Sequence, residues 1–379
     1  MDVIVVGGGI VGASAALHLT AKGASTALVE DSRAGGATAA GQGVVFPWPL
    51  PGEDPALQAL KRGAAAHLPG LLDLLADDGR ATGHERVGGI RLDPEGDDTG
   101  YDLLRALAAE PGHEGMGRVE RLAPGEPREH VPLLSEAHRG VYVEGIARVR
   151  GAVLRDALFQ SAQERGLHHR RGEAHLLWDG GRVSGVRVGG EDLRAPTVVV
   201  AAGAWSGRLL EPAGTDLPVV PVRGQVTHFA LPGTDTRSWP VLRWGGHGGH
   251  AVAFGPDRVV TGGTREPEAG FDHRVTARST AENLSRALED LPGLAGATVV
   301  GSRAGLRPAT RDGLPLLGAH ARIPGVVVAT GLGGEGLSLG AYQGALAARL
   351  ALGEPGPQDL SALRPDRPAP PRHAGPDAG

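Results

Sequence analysis

The sequence predicts an α/β fold in which a parallel-sheet domain, assembled from separated stretches of chain, carries an inserted α+β domain built on antiparallel strands. Three observations carry this. Fully apolar runs of strand length, the kind buried on both faces of a parallel sheet, stand at the beginning, middle and end: Val3–Val6 (VIVV), residues 197–202 (VVVAAG) and Val326–Thr330 (VVVAT). Strand-like runs that alternate with turns lie between them, most densely over 218–265. No Pro/Gly-rich linker cuts the 379-residue chain in two. The expected boundaries are 1–78, 140–217 and 296–353 for the parallel-sheet domain and 79–139 and 218–295 for the inserted one. Residues 354–379 read as a disordered, Pro-rich tail.

The first strand is followed by GGGIVG, with Gly7, Gly9 and Gly12 in the positions of a GxGxxG motif. Residues 13–22 then read as a helix stopped by Gly23, and 26–29 as a second apolar strand ending in Glu30. In such a motif the first glycine permits a tight turn, the second a close backbone approach to a pyrophosphate, and the third close packing of helix on strand. The helix N-terminus offers free N–H groups to phosphates, and an acid about twenty residues on accepts hydrogen bonds from ribose hydroxyls. Strand, helix, second strand and acid are all in register here, which predicts a dinucleotide site.

Downstream, residues 57–75, 103–109, 152–165, 279–290 and 338–351 read as helices. Short strands are expected near 87–92 and over 174–178 and 182–188. The cluster His168, His169, Arg170 and Arg171 reads as a solvated loop.

Composition excludes several classes. There is no cysteine, so disulfides, thiolate catalysis and cysteine-ligated metals are out. Aromatics are 3% and the net charge is −5, which argues against nucleic-acid binding. No apolar run is long enough for a spanning helix, and no basic region precedes an apolar stretch at the N-terminus, so a cytoplasmic protein is expected. The fifteen histidines show no metal-ligand spacing, so no metal is expected.

A second GxGxxG is present at Gly331, Gly333 and Gly336, in TGLGGEG. It would suggest a second dinucleotide such as NADPH, but no following strand with a terminal acid remains. The better reading is a helix N-terminus aimed at an electron-rich part of the same cofactor, such as the pyrimidine end of a flavin; a plain strand-to-helix turn is the alternative.

Taken in order, GGGIVG with Glu30, GGATAAGQGVVFPWP, VVVAAGAWS, PVRGQ, GPDRVVTGGT, GLRPATRDGLPLLG and GLGGEGLSLG resemble the FAD-dependent amino-acid oxidase family, which includes glycine oxidase, D-amino-acid dehydrogenase and sarcosine oxidase. The resemblance extends to about residue 353. It implies a Rossmann-like FAD-binding domain with an inserted antiparallel-sheet substrate domain over the flavin face. It implies noncovalent FAD, held at the pyrophosphate by Gly7, Gly9 and Gly12 and at the ribose by Glu30. Asp31, Arg33 and Ala174 would line the adenine side. Thr38, Ala39 and Ala40 would follow the pyrophosphate, and Gln42 and Gly43 would pass the flavin. Ala202, Gly203 and Trp205 would lie near FAD, and Gly333, Gly334, Glu335, Gly336 and Leu337 at the pyrimidine end.

Arg307 matches the family arginine that grips the substrate carboxylate; a guanidinium gives a bidentate, charge-assisted hold on that group. A structural role, paired with Asp312 or a helix end, is the alternative. The chain departs from the family in the final glycine turn, which carries Glu335, and in residues 240–254, which lack a substrate-side tyrosine and carry His247 and His250 instead. These histidines either contact substrate or act as a base near neutral pH, or they sit in an exposed Gly-flanked loop. Trp48 is either a wall of the site or a core aromatic. The implied activity is oxidation of the Cα–N bond of an amino acid by hydride transfer to flavin N5, giving an imine that hydrolyses, with oxygen or another acceptor taking the electrons. The alternatives are a secondary or cyclic amine substrate, an NADPH-driven monooxygenase, and a flavin-holding subunit of a multi-chain dehydrogenase.

Overall fold

The computed structural model describes residues 1–93, 99–245 and 248–368. A six-stranded sheet runs in the order Leu316–Ala319, Val326–Thr330, Thr197–Val200, Val3–Val6, Thr26–Glu30, His168–Arg171. All neighbours pair in parallel except the first two, which are antiparallel. Side chains alternate between faces of a strand, and the first strand shows what that achieves. Val3 and Val5 join the core of the helices Ile10–Ala21, Pro55–Asp77, Gly151–Glu164 and Gly336–Ala351. Ile4 and Val6 join the opposite core, against the three-stranded antiparallel sheet Ala174–Asp179, Arg182–Val188, Glu191–Arg194. A strand buried on both faces has no polar side to show, hence its unbroken apolar sequence. The first and last long helices meet closely: a Cβ at Gly344 would strike the Val11 carbonyl, and buried Ser14 donates to the Ala341 carbonyl at 2.5 Å.

The second sheet has eight strands: Thr298–Thr310, Val219–Ala230, Arg258–Gly262, His250–Phe254, Val241–Trp244, Gly89–Asp93, Arg139–Val143, Val119–Leu122. Only the central pair Val241–Trp244 with Gly89–Asp93 is parallel. One face bears Val226, Val241, Val252, Phe254 and Val260, packed on Val44, Val87 and Ile146. The other face packs against the helix Ala277–Asp290.

Strand pairing corrects the expected partition. Residues 298–310, assigned to the parallel-sheet domain, form the edge strand of the eight-stranded sheet, with Arg307 opposite Val222 and Arg303 opposite Val226. Residues 139–143 also belong to that sheet. The reason is that pairing is non-local: the edge strand begins with exposed residues and lacks the apolar signature that marks buried strands. Its later part docks on the other domain, where Leu306 donates to the Gly35 carbonyl at 2.9 Å and the Pro308 carbonyl accepts from Gly333 at 2.8 Å.

The expected loop at His168–Arg171 is the edge strand of the parallel sheet, with His169 edge-on against Phe159. Part of the expected disordered tail is packed. Leu363 is fully buried, Lys22 and Glu354 pair at 2.6 Å, and Arg367 holds the Asp312 carboxylate at 2.8 and 2.9 Å. Residues 369–379 lie outside the described part. No helix among the described residues is long and apolar enough to cross a membrane, and no cluster of potential metal ligands occurs among them.

Candidate active site

A cavity of about 940 Å³ lies at the carboxyl ends of the parallel strands and is walled on one side by the eight-stranded sheet. Ligands of open α/β sheets bind at this end of the strands. Glu30, Asp31, Arg33 and Ala174 line one extremity. Next come Gly7, Gly9 and Thr38, then Ala39, Ala40, Gln42, Gly43, Ala202, Gly203 and Trp205. Gly331, Gly333, Gly334, Glu335, Gly336 and Leu337 also line it, at the start of the last helix.

The local chemistry suits an elongated dinucleotide. Gly7 has φ +107°, and a Cβ there would strike the Ala201 carbonyl. The helix Ile10–Ala21 starts from Gly9 with no side-chain cap, and Thr38 Oγ1 accepts from the Ile10 amide at 3.1 Å. Helix N–H groups at such a start suit a pyrophosphate. Glu30 accepts from the amides of Gly8 and, at 2.9 Å, Ser32, which fixes its carboxylate beside the glycine turn. The helix Gly336–Ala351 likewise starts at Glu335 without a side-chain cap, so its open N–H groups and positive dipole end face the cavity. These residues fit FAD, with an acid for the ribose, amides for the pyrophosphate and a second helix start for the flavin.

Gly12 does not line the cavity: it lies on the helix with the Gly7 carbonyl pressed against its α-carbon, so the absence of a Cβ serves helix–strand packing, not pyrophosphate contact. Trp48 is a core residue. It is 5% exposed, packed among Leu104, Leu107, Met116, Val141 and Val143, and edge-on to Phe46 at 5.3 Å. Its large apolar area is satisfied there, away from the cavity wall. His247 lies outside the described residues. His250 is not in a loop. It opens the strand His250–Phe254 and lines the cavity, while its carbonyl accepts from Gln42 Nε2 at 2.6 Å. That bond ties the cofactor loop to the sheet.

Arg307 is half-buried on the sheet wall. Its Nη1 donates to the Thr264 carbonyl at 2.8 Å, and its guanidinium lies over Gly224 and Gly263 in a notch that exists because neither has a side chain. Asp312 is engaged by Arg367, so the alternative of an Arg307–Asp312 pair does not hold. No described acid is within ion-pair distance of Arg307. Burial, and after it the charge of Arg265, pulls its pKa below the ordinary arginine value: the cation lacks a counter-charge.

Other cavity residues were not legible beforehand. Lys61, 1% exposed, bonds Glu53 at 2.6 Å and stands 3.6 Å from Glu335. Its signal was one of only two lysines placed beside apolar helix positions. Arg243 and Arg303 line the sheet side of the cavity, and no local motif marks them.

A family profile described as FAD dependent oxidoreductase matches residues 2–350. The uncharacterized oxidoreductase YurR of Bacillus subtilis is 36% identical over 96% of this chain and 98% of its own length. The glycine oxidase of Pseudomonas aeruginosa is 33% identical over 89% of this chain and 91% of its own. The crystal structure of iminodiacetate oxidase from Chelativorans sp. BNC1 superposes with a TM-score of 0.90 at 35% identity, covering 96% of this chain and 99% of that one. With the dinucleotide cavity and a match along nearly the whole length, the chain belongs to this family and is an FAD-dependent oxidoreductase.

Proposed function

We propose that this FAD-dependent oxidoreductase of amino acids or amines holds its substrate by the carboxylate at Arg307 and oxidises the adjacent C–N bond. The observation that carries this is the Arg307 guanidinium itself, fixed by the Thr264 carbonyl over the Gly224–Gly263 notch, facing the cavity with no described acid as partner. A bidentate grip on a planar carboxylate fixes the orientation of the neighbouring carbon, and orientation supplies a large part of such catalysis. Bound FAD, held noncovalently, supplies the hydride acceptor.

The protein's own residues do the rest. Glu30 and the Gly7–Gly9 turn hold the nucleotide end. Gln42, through the His250 carbonyl, keeps the cofactor loop against the sheet. The start of the helix Gly336–Ala351 offers N–H groups where negative charge accumulates. Lys61 restrains Glu335 at that helix start.

A secondary amine is the second reading. Iminodiacetate, named for the oxidase that superposes at 0.90, has its nitrogen between two carbons, and no tyrosine lines the cavity among the described residues. Anaerobic titration of the purified holoenzyme with glycine, D- and L-amino acids, sarcosine and proline analogues tests both. Loss of the oxidised-flavin band identifies the substrate class. With none of them active, the carboxylate-amine reading is wrong.

A further inference from the structure

The notch under Arg307 accounts for Gly224 and Gly263 in the segments PVRGQ and TGGT, but not for the polar residues beside them. Side chains alternate along a strand. Gly224 thus opens the cavity face, while Arg223 and Gln225 lie on the other face, where Gln225 Nε2 donates to Thr280 Oγ1 of the helix Ala277–Asp290 at 2.7 Å. The chain that leaves the strand Arg258–Gly262 is bound to both. The Gln225 amide donates to Thr264 Oγ1 at 3.0 Å, and the Gln225 carbonyl accepts from the Thr264 amide at 3.1 Å. Thr264 Oγ1 in turn donates to Glu266 Oε1 at 2.7 Å, which also accepts from Ser279 Oγ at 2.9 Å. Arg223 holds the other oxygen, Glu266 Oε2, at 2.6 Å and stands 3.2 Å from Asp272.

Arg223, Gln225, Thr264 and Ser279 are all buried. Stability alone does not account for such a cluster, because a buried ion pair recovers little more than its desolvation cost and apolar packing serves as well. What the cluster fixes is the direction of one group. Thr264 faces two ways: its hydroxyl is tied into the cluster, and its carbonyl accepts from Arg307 Nη1 at 2.8 Å. Among the described residues no other acceptor holds that guanidinium.

We propose that Thr264 is a positioning residue for substrate binding: its hydroxyl, bonded to Glu266 and through it to Arg223, holds in place the carbonyl that keeps the Arg307 guanidinium ready for a carboxylate. This rests on the reading of Arg307 as the carboxylate clamp. Without the fixed carbonyl the guanidinium is a loose head that the ligand itself must immobilise, which lowers affinity by about 10-fold. A bound carboxylate then seats the guanidinium, so the loss falls on binding more than on the rate of flavin reduction at saturation.

The test uses the holoenzyme and its variants Thr264→Val, Thr264→Ser, Glu266→Gln and Arg307→Met. Acetate binding is measured by calorimetry, and anaerobic reduction by sarcosine gives the limiting rate. Thr264→Val weakens acetate about 10-fold, while FAD content and Tm stay close to wild type and the limiting rate stays within threefold; a loosened fold would lower all of these. Thr264→Ser, which keeps the hydroxyl, restores acetate affinity to within twofold. Acetate affinity within twofold of wild type in Thr264→Val, or an equal loss in Thr264→Ser, overturns the role of Thr264 and leaves Arg307 standing if Arg307→Met loses acetate. A wild type that binds no acetate, or an Arg307→Met that binds it as the wild type does, removes the Arg307 reading and this proposal with it. Should Thr264→Val lose FAD or melt early, Glu266→Gln decides. Its amide can serve Thr264 and Ser279 or Arg223, not both, so a loss of threefold or more in acetate affinity supports the proposal and a smaller one overturns it.

Discussion

Gly224→Ala isolates the proposed carboxylate clamp without touching a charged atom. A Cβ at Gly224 falls 2.5 Å from Arg307 Nη2, and closer still to Nη1 and Cζ. An ordinary contact needs about 3.4 Å, so the guanidinium must retreat by about 1 Å or lose its seat on the Thr264 carbonyl. The obstacle is the end of a flexible side chain and Gly224 has no positive φ, so the strand itself accepts alanine. A misplacement of about 1 Å in a positioning group costs about 100-fold in rate, or ~2.7 kcal/mol. Steady-state kinetics on a carboxylate amine, beside FAD content and a melting curve, make the assay. The expected result is a loss of that size in kcat/KM, with FAD content and Tm close to wild type. Turnover within threefold of wild type in a correctly loaded protein would refute the placement of the substrate carboxylate on Arg307.

Three further outcomes follow from other parts of the structure. Glu30→Ala leaves the Gly8 and Ser32 amides without their acceptor and weakens FAD binding by about 10- to 100-fold, measured by flavin fluorescence during dilution; unchanged affinity would exclude Glu30 from the nucleotide end. Arg148 is 1% exposed and donates to the carbonyls of Ala253 at 2.6 Å and Arg237 at 2.8 Å, as well as to Glu85. Arg148→Met strands those acceptors and costs about 3 kcal/mol, read by denaturant unfolding; a loss below 1 kcal/mol would count against a structural role. Burial holds His67 and His228 at a pKa of about 4, with His18 beside the first and Arg303 beside the second. The unfolded chain, titrating near 6.5, takes up these protons first, so their contribution is complete above pH 6.5 and is lost as pH falls toward 4. Tm should drop over that window, and His67→Gln should flatten the slope; equal slopes would assign the acid sensitivity to other groups.

The local chemistry of the nucleotide half was written in the chain. A strand buried on both faces must be apolar throughout, a turn at φ +107° needs glycine, and a helix needs a start and a stop; each condition leaves its mark within thirty residues, from Val3 to Glu30. The glycine turn at 331–336 was legible in the same way, as a contiguous motif, whereas Arg307 was singled out by the family resemblance of GLRPATRDGLPLLG. Trp48 was not resolved, because an aromatic beside prolines reads alike whether it lines a cavity or fills a core; only its neighbours Leu104, Met116 and Val141 decide. Packing of residues 354–368 was hidden by their Pro-rich composition, since scattered contacts carry it: buried Leu363 and Pro365 and the pairs Arg367–Asp312 and Lys22–Glu354. The edge strand Thr298–Thr310 was beyond sequence reach for a deeper reason. A register joins residues far apart in sequence, here Val226 and Arg303 seventy-seven positions apart, through backbone hydrogen bonds that any residue type can make. Residue type thus determined where the cofactor would lie, whereas strand register, which leaves no residue-type signature, decided which charges face it.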